Sequence, residues 1–149
     1  MHGSRRFTIV FGIALAIAAC GGSDAAPAEP VGSASVVSSP AGIVLVSPAD
    51  AASTIAAPLD DLVILDVRTP EEFAEGHIDG AVMIDFYRAD FADELAKLDP
   101  DVPYVLYCRS GNRSGQTAAM MDQLGFESVQ DVDGGILAWQ QAGLPLTTD

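Results

Sequence analysis

A cysteine followed closely by two arginines is the part of this chain best suited to chemistry. The stretch Tyr107–Ser114 reads Tyr-Cys-Arg-Ser-Gly-Asn-Arg-Ser, and it lies between an apolar, strand-like run and a segment with helical periodicity at 116–124. A loop between a strand and a helix directs backbone N–H groups inward, where they and the helix dipole favour an anion. The same field favours the thiolate, which is the nucleophilic form of cysteine. We therefore predict that Cys108 is a nucleophile in an anion-binding loop.

The residues that follow this cysteine share the capacity to hold an anion, through backbone N–H groups or through permanent positive charge. The alternative is a buried structural cysteine, since a free cysteine often serves as a small hydrophobe. Such a cysteine needs neither the glycine nor the two arginines beside it. The predicted anion-binding residues are Arg109, Ser110, Gly111, Asn112, Arg113 and Ser114.

A second group of polar residues follows the apolar run at 62–66. Asp66 ends that run, and Arg68 comes just before a helix start of the Thr-Pro-Glu-Glu type. We expect Asp66 to support the cysteine loop by accepting hydrogen bonds from its N–H groups or from an arginine. We expect Arg68 to pair with Glu71 or Glu72 rather than to bind substrate.

Apolar, β-branched runs alternate along the chain with segments of helical pattern. This alternation predicts an α/β fold, with an open, mostly parallel, five-stranded sheet and helices on both faces. Ligand sites in such sheets lie at the carboxyl ends of the strands, where the cysteine and the Asp66 group both fall. The predicted strands are 43–46, 62–66, 81–84, 104–107 and 128–132, and the predicted helices start at Ser47 and Thr69 and span 91–98, 114–124 and 136–142.

The first forty residues have the character of a targeting segment and a tether. Residues 1–19 combine basic residues with an apolar run at 7–19 that is too short to span a bilayer, which predicts a signal peptide. Small residues before Cys20 resemble the bacterial lipobox, which implies lipid on Cys20. An ordinary signal peptide is the alternative. Residues 20–40 read as a flexible linker and 41–149 as one domain, so we expect an exported, lipid-anchored protein with its domain in the periplasm or another extracytoplasmic space of the bacterial cell envelope.

The charge and cysteine counts exclude several classes of function. A net charge of −14 argues against nucleic-acid binding, which needs a basic surface. If Cys20 is lipidated, Cys108 is the remaining thiol, so no internal disulfide can form. The predicted mature chain holds one histidine, His77, and we predict no metal site and no cofactor.

Taken together, four segments of the chain resemble a single-domain rhodanese. They are Leu65–Phe73, Gly76–Ala81, Tyr107–Ser114 and Gly134–Trp139, in the family's order and spacing, and they cover almost all of 41–146. The resemblance implies a sulfurtransferase in which Cys108 takes the outer sulfur of a small anionic donor, thiosulfate or a persulfide. A thiol or cyanide acceptor then removes that sulfur from the cysteine persulfide.

A phosphatase or an arsenate reductase is one alternative to a sulfurtransferase. Phosphatases and arsenate reductases of related fold have one residue more between their cysteine and arginine than the four, 109–112, found here. A shorter loop leaves a smaller cradle, fitted to sulfur rather than to a tetrahedral oxyanion. A non-catalytic binding module and a partner-dependent thiol or persulfide relay are further alternatives. We expect structural roles for His77, in a turn, and for Trp139, in an apolar helix.

Overall fold

The computed structural model of the protein describes residues 42–57 and 59–148. The predicted signal peptide, the lipidation site Cys20 and the predicted linker lie outside these residues. Across the described ranges, no helix combines the length and apolar character that crossing a membrane requires.

Strands and helices alternate, and the five strands described form one sheet in the order β1-β5-β4-β2-β3, with every neighbouring pair parallel. This confirms the predicted α/β class and the open, five-stranded sheet. The elements are β1 (Gly42–Val46), α1 (Pro48–Ala56), β2 (Val63–Asp66), α2 (Pro70–Ala74), β3 (Val82–Met83), α3 (Phe91–Leu95), β4 (Tyr104–Tyr107), α4 (Asn112–Gln123), β5 (Ser128–Val132) and α5 (Gly135–Gln141).

The first two helices begin where their capping residues predict. The Ser47 side chain accepts a hydrogen bond from the Asp50 backbone N–H, which satisfies one of the unpaired donors at the start of α1. Thr69 and Glu72 form a reciprocal capping box at the start of α2. In both helices proline occupies the first turn, where its missing N–H costs no helical hydrogen bond.

The central strand β4 is buried on both faces because helices cover the sheet on each side. Tyr104 and Leu106 pack into one apolar layer with residues of α3 and α4. Val105 and Tyr107 point the other way, into a layer with residues of α1 and α5. Burying a side chain such as Leu106, which is 0% exposed, contributes about 2 kcal/mol. A continuous apolar strand is therefore what this position in the sheet requires.

Three elements differ from the sequence prediction by two or more residues in their start or their length. Helix α4 begins at Asn112 instead of Ser114, because Gly111 ends the loop with a positive φ of 93°. Helix α3 ends at Leu95, since the residues after it form tight turns of the i to i+3 type. Strand β3 is two residues long because it pairs with β2 alone at the edge of the sheet.

Candidate active site

The Cys108 thiol lies at the carboxyl end of β4, covered by the loop that follows it. The side chain is 1% exposed, and its Sγ accepts a hydrogen bond from the Gly111 N–H at 3.2 Å. The left-handed conformation of Gly111 aims that N–H back at the sulfur, and glycine adopts it without steric cost. The loop thus holds the sulfur as a hydrogen-bond acceptor, which is the arrangement that a thiolate or a persulfide anion needs.

The predicted anion-binding residues divide between the loop and the first turn of α4. Arg109 and Ser110 are exposed loop residues, whereas Asn112, Arg113 and Ser114 belong to the helix. A helix leaves its first N–H groups without intrahelical acceptors. Those of Asn112, Arg113 and Ser114 have no backbone acceptor among the described residues. Of the predicted donors, the Gly111 N–H therefore bonds the sulfur, and the three N–H groups of the first turn of α4 have no backbone acceptor of their own in the described chain.

Arg113 is held by an acidic residue that lies 41 positions earlier in the chain. Its guanidinium makes two hydrogen bonds to the Glu72 carboxylate, at 2.7 and 2.8 Å. These bonds lower the pKa of Glu72 to about 2, although partial burial opposes the shift. The same hydrogen bonds raise the pKa of Arg113, and the nearby Cys108 charge adds to the effect. Arg113 is thus fixed near the thiol with its charge already paired.

The prediction that Arg68 pairs with Glu71 or Glu72 was wrong. Its guanidinium pairs with Asp66 through three hydrogen bonds of 2.6–3.0 Å, and both side chains are buried. Its other hydrogen bonds go to the backbone oxygens of Glu72 and Gly76. Glu71 and Glu72 are excluded as side-chain partners because the arginine turns inward and the Glu72 carboxylate binds Arg113. The Asp66 carboxylate thus accepts hydrogen bonds from the backbone N–H and the guanidinium of Arg68, and this buried pair connects α2 to the end of β2.

The cysteine loop is also packed closely against the start of α5. The Ile136 N–H donates to the Cys108 oxygen at 2.9 Å, and the Leu137 N–H donates to the Arg109 oxygen at 3.1 Å. Gly135 makes this approach possible, because a Cβ built on it would overlap the Cys108 oxygen and lie 2.8 Å from the Arg109 carbonyl carbon. The Gly134-Gly135 pair is therefore part of the scaffold of the loop.

A pocket of about 280 Å³ opens beside the loop, between α2 and α5. Among the described residues, Arg109 is the cation with no ion pair, since Arg68, Arg88, Lys97 and Arg113 are each bonded to a carboxylate. Arg109 is also exposed, so its charge is available to a ligand. The pocket is lined by Arg68, Glu72, Glu75, Gly76, Arg109, Ile136, Leu137 and Gln140.

His77 and Trp139 both have structural surroundings. The His77 ring is 5% exposed, stacks on Phe73 with 3.7 Å between ring centroids, and has its Nδ1 3.1 Å from the Phe73 oxygen. Trp139 is 3% exposed, and its indole N–H donates to the Pro145 oxygen. These contacts support the packing roles predicted for both.

A buried carboxyl that the sequence reading did not single out lies under the first turns of α4. Asp131 on β5 is 5% exposed, and its Oδ1 has no hydrogen-bond partner within residues 42–57 and 59–148. The pKa of Asp131 is raised to about 6, mainly because the carboxyl is buried. The negative charge of Asp133 also raises this pKa, whereas a hydrogen bond from Ser114 lowers it. At neutral pH the fold therefore carries a charged carboxylate that costs stability.

Asp131→Asn is expected to stabilise the protein at pH 8 by up to about 3 kcal/mol, because it removes a buried carboxylate whose pKa is raised to about 6. The folded state binds this proton more tightly than the unfolded state, so the cost is full above pH 6 and disappears as the pH falls toward 4. Urea unfolding of the variant and the parent at pH 8 and pH 4.5 measures the difference. Asp122→Asn, which changes an exposed aspartate on α4, is the control. An equal effect of Asp131→Asn at both pH values would contradict the assignment.

Two features of the site escaped sequence reasoning for different reasons. The capping role of Glu72 at the start of α2 is predictable from the sequence. Its hydrogen bonds to Arg113 are not, because they depend on which strands are neighbours in the sheet. Asp131 carries a charge in a predicted strand of the sheet, Ser128–Val132, and that charge was the available signal.

Comparison with known proteins places these observations in a family. A model of the rhodanese-like domain matches residues 47–142. A sulfurtransferase of Allochromatium vinosum is 37% identical over 87 residues, which are 58% of this chain and 79% of that protein. The thiosulfate sulfurtransferase GlpE of Pseudomonas aeruginosa is 42% identical over 77 residues, 52% of this chain and 68% of that protein.

A solved structure agrees with the sequence relatives. The crystal structure of a rhodanese-related protein from Thermoplasma volcanium has a TM-score of 0.61 and 30% identity, covering 70% of this chain and 97% of that one. The sheet order, the cysteine loop and the matched residues lead to one conclusion: the chain belongs to the rhodanese-like domain family.

Proposed function

We propose that the protein is a sulfurtransferase that carries a sulfane sulfur on Cys108 as a persulfide. The observation that carries this proposal is the Cys108 sulfur itself, which accepts the Gly111 N–H beside the N-terminus of a twelve-residue helix. Such a position stabilises a sulfur anion, whether a thiolate or a persulfide. The relatives named as sulfurtransferases support the same reaction class.

The reaction proceeds in two balanced steps. The Cys108 thiolate attacks the outer sulfur of thiosulfate, the S–S bond of the donor breaks, and sulfite leaves with the bonding pair. In the second step a thiophile such as cyanide attacks the outer sulfur of the persulfide. Thiocyanate then leaves, and the Cys108 thiolate returns.

Arg109 is the residue that we assign to binding the anionic part of the donor. Its charge has no carboxylate partner among the residues described, and it lines the pocket beside the loop. Arg113, in contrast, has its charge neutralised by Glu72. A charge-assisted hydrogen bond from Arg109 to a donor oxygen would orient the outer sulfur toward Cys108.

A side-by-side assay separates sulfur transfer from the phosphatase alternative. We expect the purified protein to form thiocyanate from thiosulfate and cyanide and to leave p-nitrophenyl phosphate unhydrolysed, because the loop between Cys108 and Arg113 is one residue shorter than the loop of the related phosphatases. Thiocyanate and p-nitrophenol are measured by absorbance. Faster turnover of the phosphate ester would overturn the proposal, and turnover of neither would favour a binding module or a relay that needs a protein partner.

We propose further that the domain is exported and anchored to a membrane by lipid on Cys20. The basic start, the apolar run and the small residues before Cys20 support this location. Cys20→Ala is expected to move the protein from the membrane fraction to the soluble fraction of the expressing bacteria, as seen by immunoblot. An unchanged membrane fraction would contradict the lipid anchor.

A further inference from the structure

The pocket beside the cysteine loop carries one positive and one negative charge that the protein leaves unpaired. Four charged residues line it. Two of them are neutralised elsewhere, since Arg68 is paired with Asp66 and Glu72 is paired with Arg113. Arg109 and Glu75 remain, and no ion pair joins either of them to another described residue. The pocket therefore offers two charges of opposite sign to a ligand.

A carboxylate at the position of Glu75 does not stabilise the fold. It is the C-cap residue of α2, where the helix dipole disfavours a carboxylate. Glu75 is exposed, its side chain makes no hydrogen bond in the described residues, and it adds a negative charge to a chain with a net charge of −14. A carboxylate that brings no structural contact and faces a pocket is available to bind a cation.

The volume of the pocket matches a small molecule. Its volume of about 280 Å³ is below the range of about 300–1,000 Å³ that drug-sized ligands occupy. Gln140 adds a neutral hydrogen-bonding group on the α5 side, and Ile136 and Leu137 add apolar contact. A ligand the size of an amino acid, with an anionic group and an ammonium group, matches this lining.

We propose that the sulfur acceptor of this site is a small zwitterionic thiol of the amino-acid type, with its carboxylate at Arg109 and its ammonium group at Glu75. The inference rests on the proposed sulfurtransferase function and adds the class of acceptor. The acceptor thiolate attacks the outer sulfur of the Cys108 persulfide. A new S–S bond forms on the acceptor, the S–S bond to Cys108 breaks, and the Cys108 thiolate leaves, so no oxidant or reductant is consumed.

Two acceptors that differ in the ammonium group test this pairing. The protein is first loaded with thiosulfate, and the excess is removed. The rate constant for loss of sulfur from Cys108 is then measured against the concentration of cysteine or N-acetylcysteine. In Glu75→Gln we expect the second-order rate constant for cysteine to fall about threefold to tenfold, while that for N-acetylcysteine stays unchanged. For each protein, the rate constant for cysteine is divided by that for N-acetylcysteine. Comparing this ratio between the variant and the parent cancels the different intrinsic reactivities of the two thiols.

Glu71→Gln is the matched control, because Glu71 is an exposed glutamate of the same helix that does not line the pocket. We expect it to leave both rate constants unchanged. An equal cysteine to N-acetylcysteine ratio in the parent, Glu75→Gln and Glu71→Gln would overturn the inference while sulfur transfer through Cys108 stands. Failure of the parent to take up sulfur from thiosulfate would overturn the proposed function, and the inference with it.

Discussion

Cys108→Ser is expected to lower thiocyanate formation by at least about 10³-fold, because a serine hydroxyl is a poor nucleophile toward sulfur and cannot carry the sulfur as a persulfide. The substitution changes one atom in a side chain that is 1% exposed, so the fold should survive it. The rate is measured in the thiosulfate and cyanide assay with both substrates saturating. Circular dichroism and thermal unfolding confirm that the variant is folded.

Two outcomes of this substitution are distinct. A folded Cys108→Ser protein that retains more than about a tenth of the parent rate would show that another group transfers the sulfur. If neither the parent nor the folded variant forms thiocyanate, the thiosulfate reaction is rejected, and a partner-dependent relay or a binding module is favoured instead.

Gly135→Ala is expected to destabilise the protein by about 2–4 kcal/mol and to reduce sulfur transfer at least about tenfold. The added Cβ would overlap the Cys108 oxygen, and the neighbouring atoms are backbone that cannot rotate away. The positive φ of 58° adds strain for alanine. The two N–H bonds from α5 to the loop would lengthen, and the sulfur would move from its place. Urea unfolding and the thiocyanate assay measure the two effects.

Gly143→Ala separates the clash from the conformational strain. Gly143 has a similar φ of 71°, but a Cβ built there meets no atom of the described part of the chain within 4 Å. We expect about 1 kcal/mol of destabilisation from the strained conformation and an unchanged rate of sulfur transfer. If both glycine variants lost the same stability and both kept full activity, the close approach of α5 would not position the loop.

The fold followed from the sequence because its signals are local and agree with one another. Ser47 and Thr69 cap helices, Pro48 and Pro70 follow them, and strand β4 is apolar throughout because helices cover both of its faces. Parallel strands joined by helices then bring the carboxyl ends of β2 and β4 side by side, where Asp66 is paired in register with Tyr107. The prediction that polar groups gather at this edge depends on nothing beyond that topology.

The pairing of charges could not be predicted because it depends on distances across the fold. Glu72 and Arg68 are four residues apart, which favours a local pair on a helical surface, yet Arg68 turns inward to Asp66 and Glu72 reaches Arg113. Burial determines which carboxylate pairs with Arg68, since a buried guanidinium needs a buried carboxylate beside it. The start of α4 was misplaced by two residues because Gly111 ends the loop earlier than the sequence pattern indicates.

Intact mass of the purified protein, recorded after thiosulfate and again after cyanide, tests the central claim most directly. We predict a gain of one sulfur atom on the parent that cyanide removes, and no gain on Cys108→Ser. A folded parent with a free Cys108 thiol that gains no sulfur, or a gain that persists in Cys108→Ser, would contradict sulfur transfer through this residue.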